Sequence, residues 1–318
     1  MDRAKSRRVR LVCASILLLS AILPMTACGG SGCEAGRHYA TYTWDSAKWT
    51  RLGTYGGTET AEGFGYDPDL KTVISVGGGN PNDTFKWTGH GWQSLNAPAC
   101  CAGLPKLLAY DYSRNRMLLF GDDVYAWSGH SWDRVAPGRR LLVGIAYDVA
   151  GKQFVALDLL GETEIFDGAS WTSTSAKQTL TPLMGGNFGG LVYDPEVKKI
   201  VAVGLDQDSG SLGVVAWDGT QWTQSATKLP SDMAANGFAL GYDPALRGVL
   251  FSGLEFIWLW NGTGLQQAPG GDNPRGLVTG AFDTALGQLL WIQESDVECA
   301  PGGSVVTSPA GPPNLPPI

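Results

Sequence analysis

Apolar residues along this chain come in short, β-rich runs separated by polar turns, and the runs fall into two recurring hairpin patterns. In the first, an apolar run ends in an aromatic–Asp pair, a polar turn follows, and a second β-rich run begins after Lys, Arg or Gln. It reads GFGYDPDLKTVISVG around Tyr66 and Asp67, and LLAYDYSRNRMLLFG around Tyr110 and Asp111. The same pattern recurs at Tyr147 and Asp148, Tyr193 and Asp194, Tyr242 and Asp243, and Phe282 and Asp283. Each instance predicts two antiparallel strands. The Asp carboxylate is placed to accept turn amides and so to end the strand.

The second pattern is an aromatic pair around a tight turn: Trp44 and Trp49, Trp87 and Trp92, Trp127 and Trp132, Phe166 and Trp171, Trp217 and Trp222. Trp260 opens a sixth, where Leu265 stands in the second position. The partners are five apart in every case, and five of the six turns hold Gly after Thr, Ser, Asp or Asn. Gly supplies the positive φ that such a hairpin needs. Parity puts both aromatics on one face of the ribbon.

The two patterns alternate, and the chain opens on a Trp-pair hairpin and closes on a Phe–Asp hairpin. Neither terminal half has a partner in sequence, but together they complete one four-stranded unit. Successive aromatic–Asp pairs are 37 to 49 residues apart, which fits four short strands. The expected fold is therefore all-β: a six-bladed β-propeller of four antiparallel strands per blade. Its ring closes when residues 40–51 pair beside residues 277–293, and closure leaves no long free sheet edge. Residues 40–295 resemble the kelch-type propeller, as in the central domain of galactose oxidase-like proteins. Gly77-Gly78-Gly79 matches the Gly-Gly that kelch repeats carry after the second strand. The Asp-Gly-x-x-Trp of residues 167–171 and 218–222 also resembles part of the sialidase Asp-box, in another propeller family.

Ahead of the repeats, Arg3, Lys5, Arg7, Arg8 and Arg10 precede the apolar run Leu11 to Leu23, as in a secretory signal peptide. The following Met25-Thr26-Ala27-Cys28 resembles the bacterial lipobox, with Met25 where Leu is usual. That resemblance implies cleavage after residue 27, lipidation of Cys28, and a protein anchored to a membrane in the bacterial cell envelope, outside the cytoplasm. Residues 28–39 are expected to be an anchor linker, 40–298 the propeller, and 299–318 a disordered tail rich in Pro and Gly. Without residues 1–27 the chain holds 18 basic and 29 acidic residues, a net charge of −11. Such a surface repels phosphate backbones, so nucleic acid is not an expected partner.

Strand order divides the loops into two faces. One carries the turns within hairpins; the other carries the connections between hairpins, where propellers normally place a ligand site around the channel. The candidates on that connection face are Asn82, Asp83, Asp122, Asp123, Arg139, Arg140, Asp206, Asp208, Asp272 and Arg275. A copper centre of the galactose oxidase kind needs two His and two Tyr. The three His are His38, His90 and His130, the last two at equivalent turn positions on separate blades. Asp206-Gln207-Asp208-Ser209-Gly210 begins like a calcium loop but lacks the closing Glu. No metal or cofactor is expected, and no catalytic set stands out.

With Cys28 lipidated, Cys33, Cys100, Cys101 and Cys299 remain, and an extracytoplasmic compartment favours disulfides. Cys33 and Cys299 flank the repeats and are expected to pair across the seam, leaving Cys100 and Cys101 as a vicinal bond. A pattern linking Cys100 or Cys101 to the ends is the alternative. The expected function is a monomeric binding or interaction module for a protein or carbohydrate ligand. A carbohydrate-active enzyme and a structural envelope scaffold are the alternatives.

Overall fold

The computed structural model describes residues 33–54, 61–77, 83–98, 107–139, 141–177, 181–182, 190–206, 211–229, 239–252, 256–269, 274 and 277–299. Twenty-five strands follow one another, with no helix among the described residues. β1 (Cys33–Trp44) and β2 (Trp49–Thr54) come first. The first complete blade is β3 (Ala61–Asp67), β4 (Thr72–Gly77), β5 (Asp83–Trp87) and β6 (Trp92–Pro98). The second is β7 (Leu107–Asp111), β8 (Arg116–Phe120), β9 (Asp123–Trp127) and β10 (Trp132–Pro137). The third is β11 (Leu142–Asp148), β12 (Gln153–Asp158), β13 (Glu162–Phe166) and β14 (Trp171–Lys177). In the fourth, β15 (Thr181–Pro182) and β16 (Val192–Asp194) both pair with β17 (Lys199–Asp206), followed by β18 (Ser211–Trp217) and β19 (Trp222–Lys228). The fifth is β20 (Leu240–Asp243), β21 (Gly248–Ser252), β22 (Ile257–Trp260) and β23 (Leu265–Gln267). β24 (Leu277–Asp283) and β25 (Gln288–Cys299) complete the chain.

The protein is a six-bladed β-propeller. The sixth sheet runs β2–β1–β25–β24, so one blade is built from both ends of the chain. The strands ending in the aromatic–Asp pair are the innermost of their blades, and β24, β3, β7, β11, β16 and β20 neighbour one another around the axis. Six apolar clusters lie between the blades, one at each junction. This explains why the second strands read as unbroken apolar runs: β4 and β21 are buried at every position, because both faces meet a neighbouring blade.

Both hairpin patterns fold as their residues dictate. The paired aromatics sit directly opposite one another, Trp44 against Trp49 and Trp217 against Trp222, with ring centroids 5.1 and 5.5 Å apart. In the turn between Trp217 and Trp222, Asp218 Oδ1 accepts the amides of Thr220 and Gln221, and Gly219 adopts φ 103°. In the seam blade Ser46 takes that place at φ 67°, and its hydroxyl donates to Asp243 Oδ2 at 2.7 Å. The six aspartates of the inner strands, Asp67, Asp111, Asp148, Asp194, Asp243 and Asp283, are all buried. Each accepts an amide from its own turn, as Asp67 Oδ1 does from Asp69 and Leu70.

Two details differ from the sequence reading. β1 starts at Cys33, not near residue 40, because residues 33–39 continue the ladder against β25 instead of forming a free linker. The inner edge of the fourth blade is shared by two short strands, β15 beside Gly204 and Leu205 and β16 beside Lys199 to Val201 of β17.

Candidate functional site

The aromatic–Asp turns surround the channel on one face and enclose a recess of 680 Å3 lined by all six inner strands. Its collar is the aromatic of each pair: Tyr66, Tyr110, Tyr147, Tyr193, Tyr242 and Phe282. Beneath the collar the preceding residue is small in five blades, at Gly65, Ala109, Ala146, Gly241 and Ala281, with Val192 in the sixth. A Cβ on Gly241 would stand 2.6 Å from Cδ2 of the buried Leu289, which would have to shift to admit it. Above the collar, Tyr112, Val149, Pro195, Pro244 and Thr284, each just after the Asp, form the rim. Tyr112 is 55% exposed while its ring meets Tyr110 and Tyr147 at 4.9 and 5.5 Å.

Most collar hydroxyls are tied to the preceding blade, at the residue two beyond its Asp. Tyr110 donates to Asp69 Oδ2 at 2.7 Å, Tyr147 bonds Ser113, and Tyr242 donates to Glu196 Oε1 at 3.1 Å. Tyr66 bonds the Thr284 side chain and the Ala285 backbone. Where Ala245 occupies the turn, the facing aromatic is Phe282, which needs no partner. Tyr193 breaks the rule: the matching residue is Ala150, and the Tyr193 hydroxyl has no hydrogen-bond partner among the described residues. Burial raises the phenol pKa of Tyr66, Tyr110, Tyr193 and Tyr242 above the ordinary value. Glu196 is the single carboxylate among the described residues lining the recess. It is ion-paired with Arg247, whose hydrogen bond holds its pKa below the ordinary range.

Of the residues expected from sequence, those described lie at the other end of the strands. Asp122 lies in the turn between β8 and β9, and Asp123, which opens β9, is held by Arg134 at 2.5 Å. Arg139 pairs with Glu164 at 3.5 Å, and Asp83 begins β5 half-buried. Asp206 ends β17. Asn82, Arg140, Asp208, Asp272, Arg275, Cys28, Cys100 and Cys101 lie outside the described residues. No cluster of metal-ligating side chains occurs among the described residues. His90 and His130 are exposed in Trp-pair turns. The collar and its small underlayer were not singled out as a site in the sequence. The available signal was the residue just after the Asp, apolar or aromatic in five of the six turns, at Pro68, Tyr112, Val149, Pro195 and Pro244.

Fold and recess together define a β-propeller whose axial mouth is collared by aromatic side chains. No protein-family model matches the chain, and no curated protein matches it. Among solved structures, a structural genomics protein of unknown function from Bacteroides thetaiotaomicron matches with a TM-score of 0.51 at 12% identity, over 82% of this chain and 77% of that one. YCF48 bound to D1 peptide gives a TM-score of 0.43 at 14% identity, over 76% and 85%. A nidogen/laminin complex gives 0.42 at 14%, over 77% and 82%. These likenesses concern the fold.

Proposed function

We propose that the protein is a binding module of the bacterial cell envelope, held outside the cytoplasm by a lipid on Cys28, that receives its ligand at the aromatic mouth of the channel. The observation that carries this reading is the 680 Å3 recess, concave, mostly apolar and lined by every blade. The Gly77-Gly78-Gly79 segment supports a kelch-type reading of the repeat, beside the Asp-Gly-x-x-Trp segments that resemble the sialidase Asp-box. Support for the orientation comes from the seam. β1 runs from Cys33 toward the turn bearing the mouth, so its start lies at the far end of the blade. Cys28 and Cys33 are five Cα steps apart, a reach of at most about 18 Å. A membrane at Cys28 therefore faces the connection side and leaves the mouth open to the medium.

A glycosidase reading has less support. That chemistry commonly uses two carboxylates flanking the bond, and the recess offers Glu196, already paired with Arg247.

Tyr112→Ala tests the proposal, because its exposed ring contributes to the rim more than to the core. A ligand selected on a glycan array or a peptide library should lose at least tenfold in affinity, about 1.4 kcal/mol, while the melting temperature stays within a few degrees. Unchanged affinity sinks the assignment to the mouth. The anchor has its own measurement: Cys28→Ala should abolish palmitate incorporation and release the protein from membranes.

A further inference from the structure

We infer that this face takes an extended, acidic protein segment, seating one apolar side chain in the channel mouth and a second in a groove beside Trp87. The inference rests on the binding-module reading and supplies its ligand class. Its first support is a second recess on the same face, of 300 Å3, lined by Leu70, Lys71, Lys86, Trp87 and Leu286 among others. The two recesses share the same pair of turns: Tyr66 and Thr284 line the mouth, while Leu70, Lys71 and Leu286 line the groove. A segment crossing these turns meets two apolar hollows in succession, the arrangement by which extended peptides are read through alternate anchors.

The second support is exposure. Five large hydrophobic side chains are exposed among the described residues, and three of them, Leu70, Tyr112 and Val149, line these two recesses. Apolar surface concentrated at one place marks an interaction site.

The third is charge. Of the acids of the face, Glu196 is ion-paired with Arg247, Asp69 accepts the Tyr110 hydroxyl, and Asp45, Asp167 and Asp218 accept amides within their own outer turns. Lys71, Lys152 and Lys198, exposed at equivalent positions of three turns, have no acidic partner among the described residues, nor has the half-buried Lys86. Lys71 and Lys86 line the Trp87 groove, whose one acid among the described residues, Asp283, is buried, and Asp45, Asp167 and Asp218 line neither recess. The groove itself thus meets a ligand with ammonium groups, within a chain that is acidic overall. A sugar fits less well, because four of the five collar tyrosines spend their hydroxyls on the neighbouring blade.

The test is selection of a random peptide display library on the intact protein, with neutral oligosaccharides run in parallel. Enriched peptides should carry two apolar residues flanked by Asp or Glu, and a labelled synthetic copy should bind more weakly as salt rises. Lys71→Glu, Lys152→Glu and Lys198→Glu combined should cost that peptide at least about tenfold in affinity, while the three Arg replacements retain binding. Because these lysines are exposed, circular dichroism and melting should match the parent protein. Enrichment of basic peptides, or affinity indifferent to the charge reversal, overturns the inference. Binding of oligosaccharides alone at the Tyr112 rim also overturns it while leaving the binding-module reading intact; no binding of either kind removes both.

Discussion

Asp194 and Glu196 stand two residues apart in one turn and meet opposite environments. Asp194 is fully buried, and although it accepts the Glu196 amide, its Oδ2 has no partner. Burial raises its pKa, so its contribution favours the fold in acid and is lost as pH rises through the raised value. Glu196 is the reverse case: the Arg247 hydrogen bond lowers its pKa, so its contribution is present at neutral pH and is lost as pH falls through the lowered value. Carboxyl NMR titration should therefore find the two groups on opposite sides of the ordinary carboxylate range. Arg247→Gln should move Glu196 upward and leave Asp194 above that range; coincident midpoints in the parent protein would contradict this. The Asp of each turn was legible from sequence as a strand terminator, because its local hydrogen bonds depend only on its own turn. Its neighbour two positions on was not legible, because that residue acts on the next blade's tyrosine.

Between elements, the second Trp of a blade reaches back to the blade before it. Trp92 Nε1 donates to Thr41 at 2.8 Å, Trp132 to Thr84 at 2.8 Å and Trp222 to Thr163 at 2.7 Å. Each acceptor stands three residues ahead of the first aromatic in its own blade's pair. The exceptions obey the same logic. Where Val124 takes that place, Trp171 bonds the Pro137 carbonyl instead, and where Val214 takes it, the facing residue is Leu265. At the seam Ile257 takes it, and Trp49 Nε1 is buried without a partner. Thr163→Val should leave the Trp222 indole unsatisfied and cost about 1–3 kcal/mol in urea denaturation. In a Trp222→Phe background the same change should cost far less; equal losses in both would show that the hydroxyl does not act through the indole. The Trp pairs could be counted along the sequence, but a Thr in a β-rich run reads as an ordinary strand former until the neighbouring blade is in view.

For the molecule as a whole, six blades and a unit divided between the termini could be read from two alternating motifs and their offset. The position of the recess could not, because the residues under its collar are mostly Gly and Ala, which carry no chemical signature of a site. At the seam, Cys33 and Cys299 are direct partners in the ladder of β1 and β25. Opposed residues of an antiparallel pair have Cα atoms about 4.5–5.5 Å apart, a separation that suits a disulfide. Non-reducing peptide mapping of protein matured outside the cytoplasm should recover these two cysteines joined, their thiols oxidised by the compartment's disulfide carriers. Breaking the bond by Cys33→Ser should cost about 5 kcal/mol, since the loop it closes spans nearly the whole propeller. Cys299→Ser should cost the same; a free thiol at either position in the parent protein refutes the pairing.

The same ladder decides how this propeller can be joined to other domains. Both of its ends leave side by side from the edge farthest from the collar. A fluorescent protein appended at either end should then leave ligand binding intact, whereas one inserted at Gly89 beside the Trp87 groove should block it. The same adjacency permits circular permutation: a short bridge from Cys299 to Cys33 would let the chain be cut in an outer turn, with the ring and its mouth preserved.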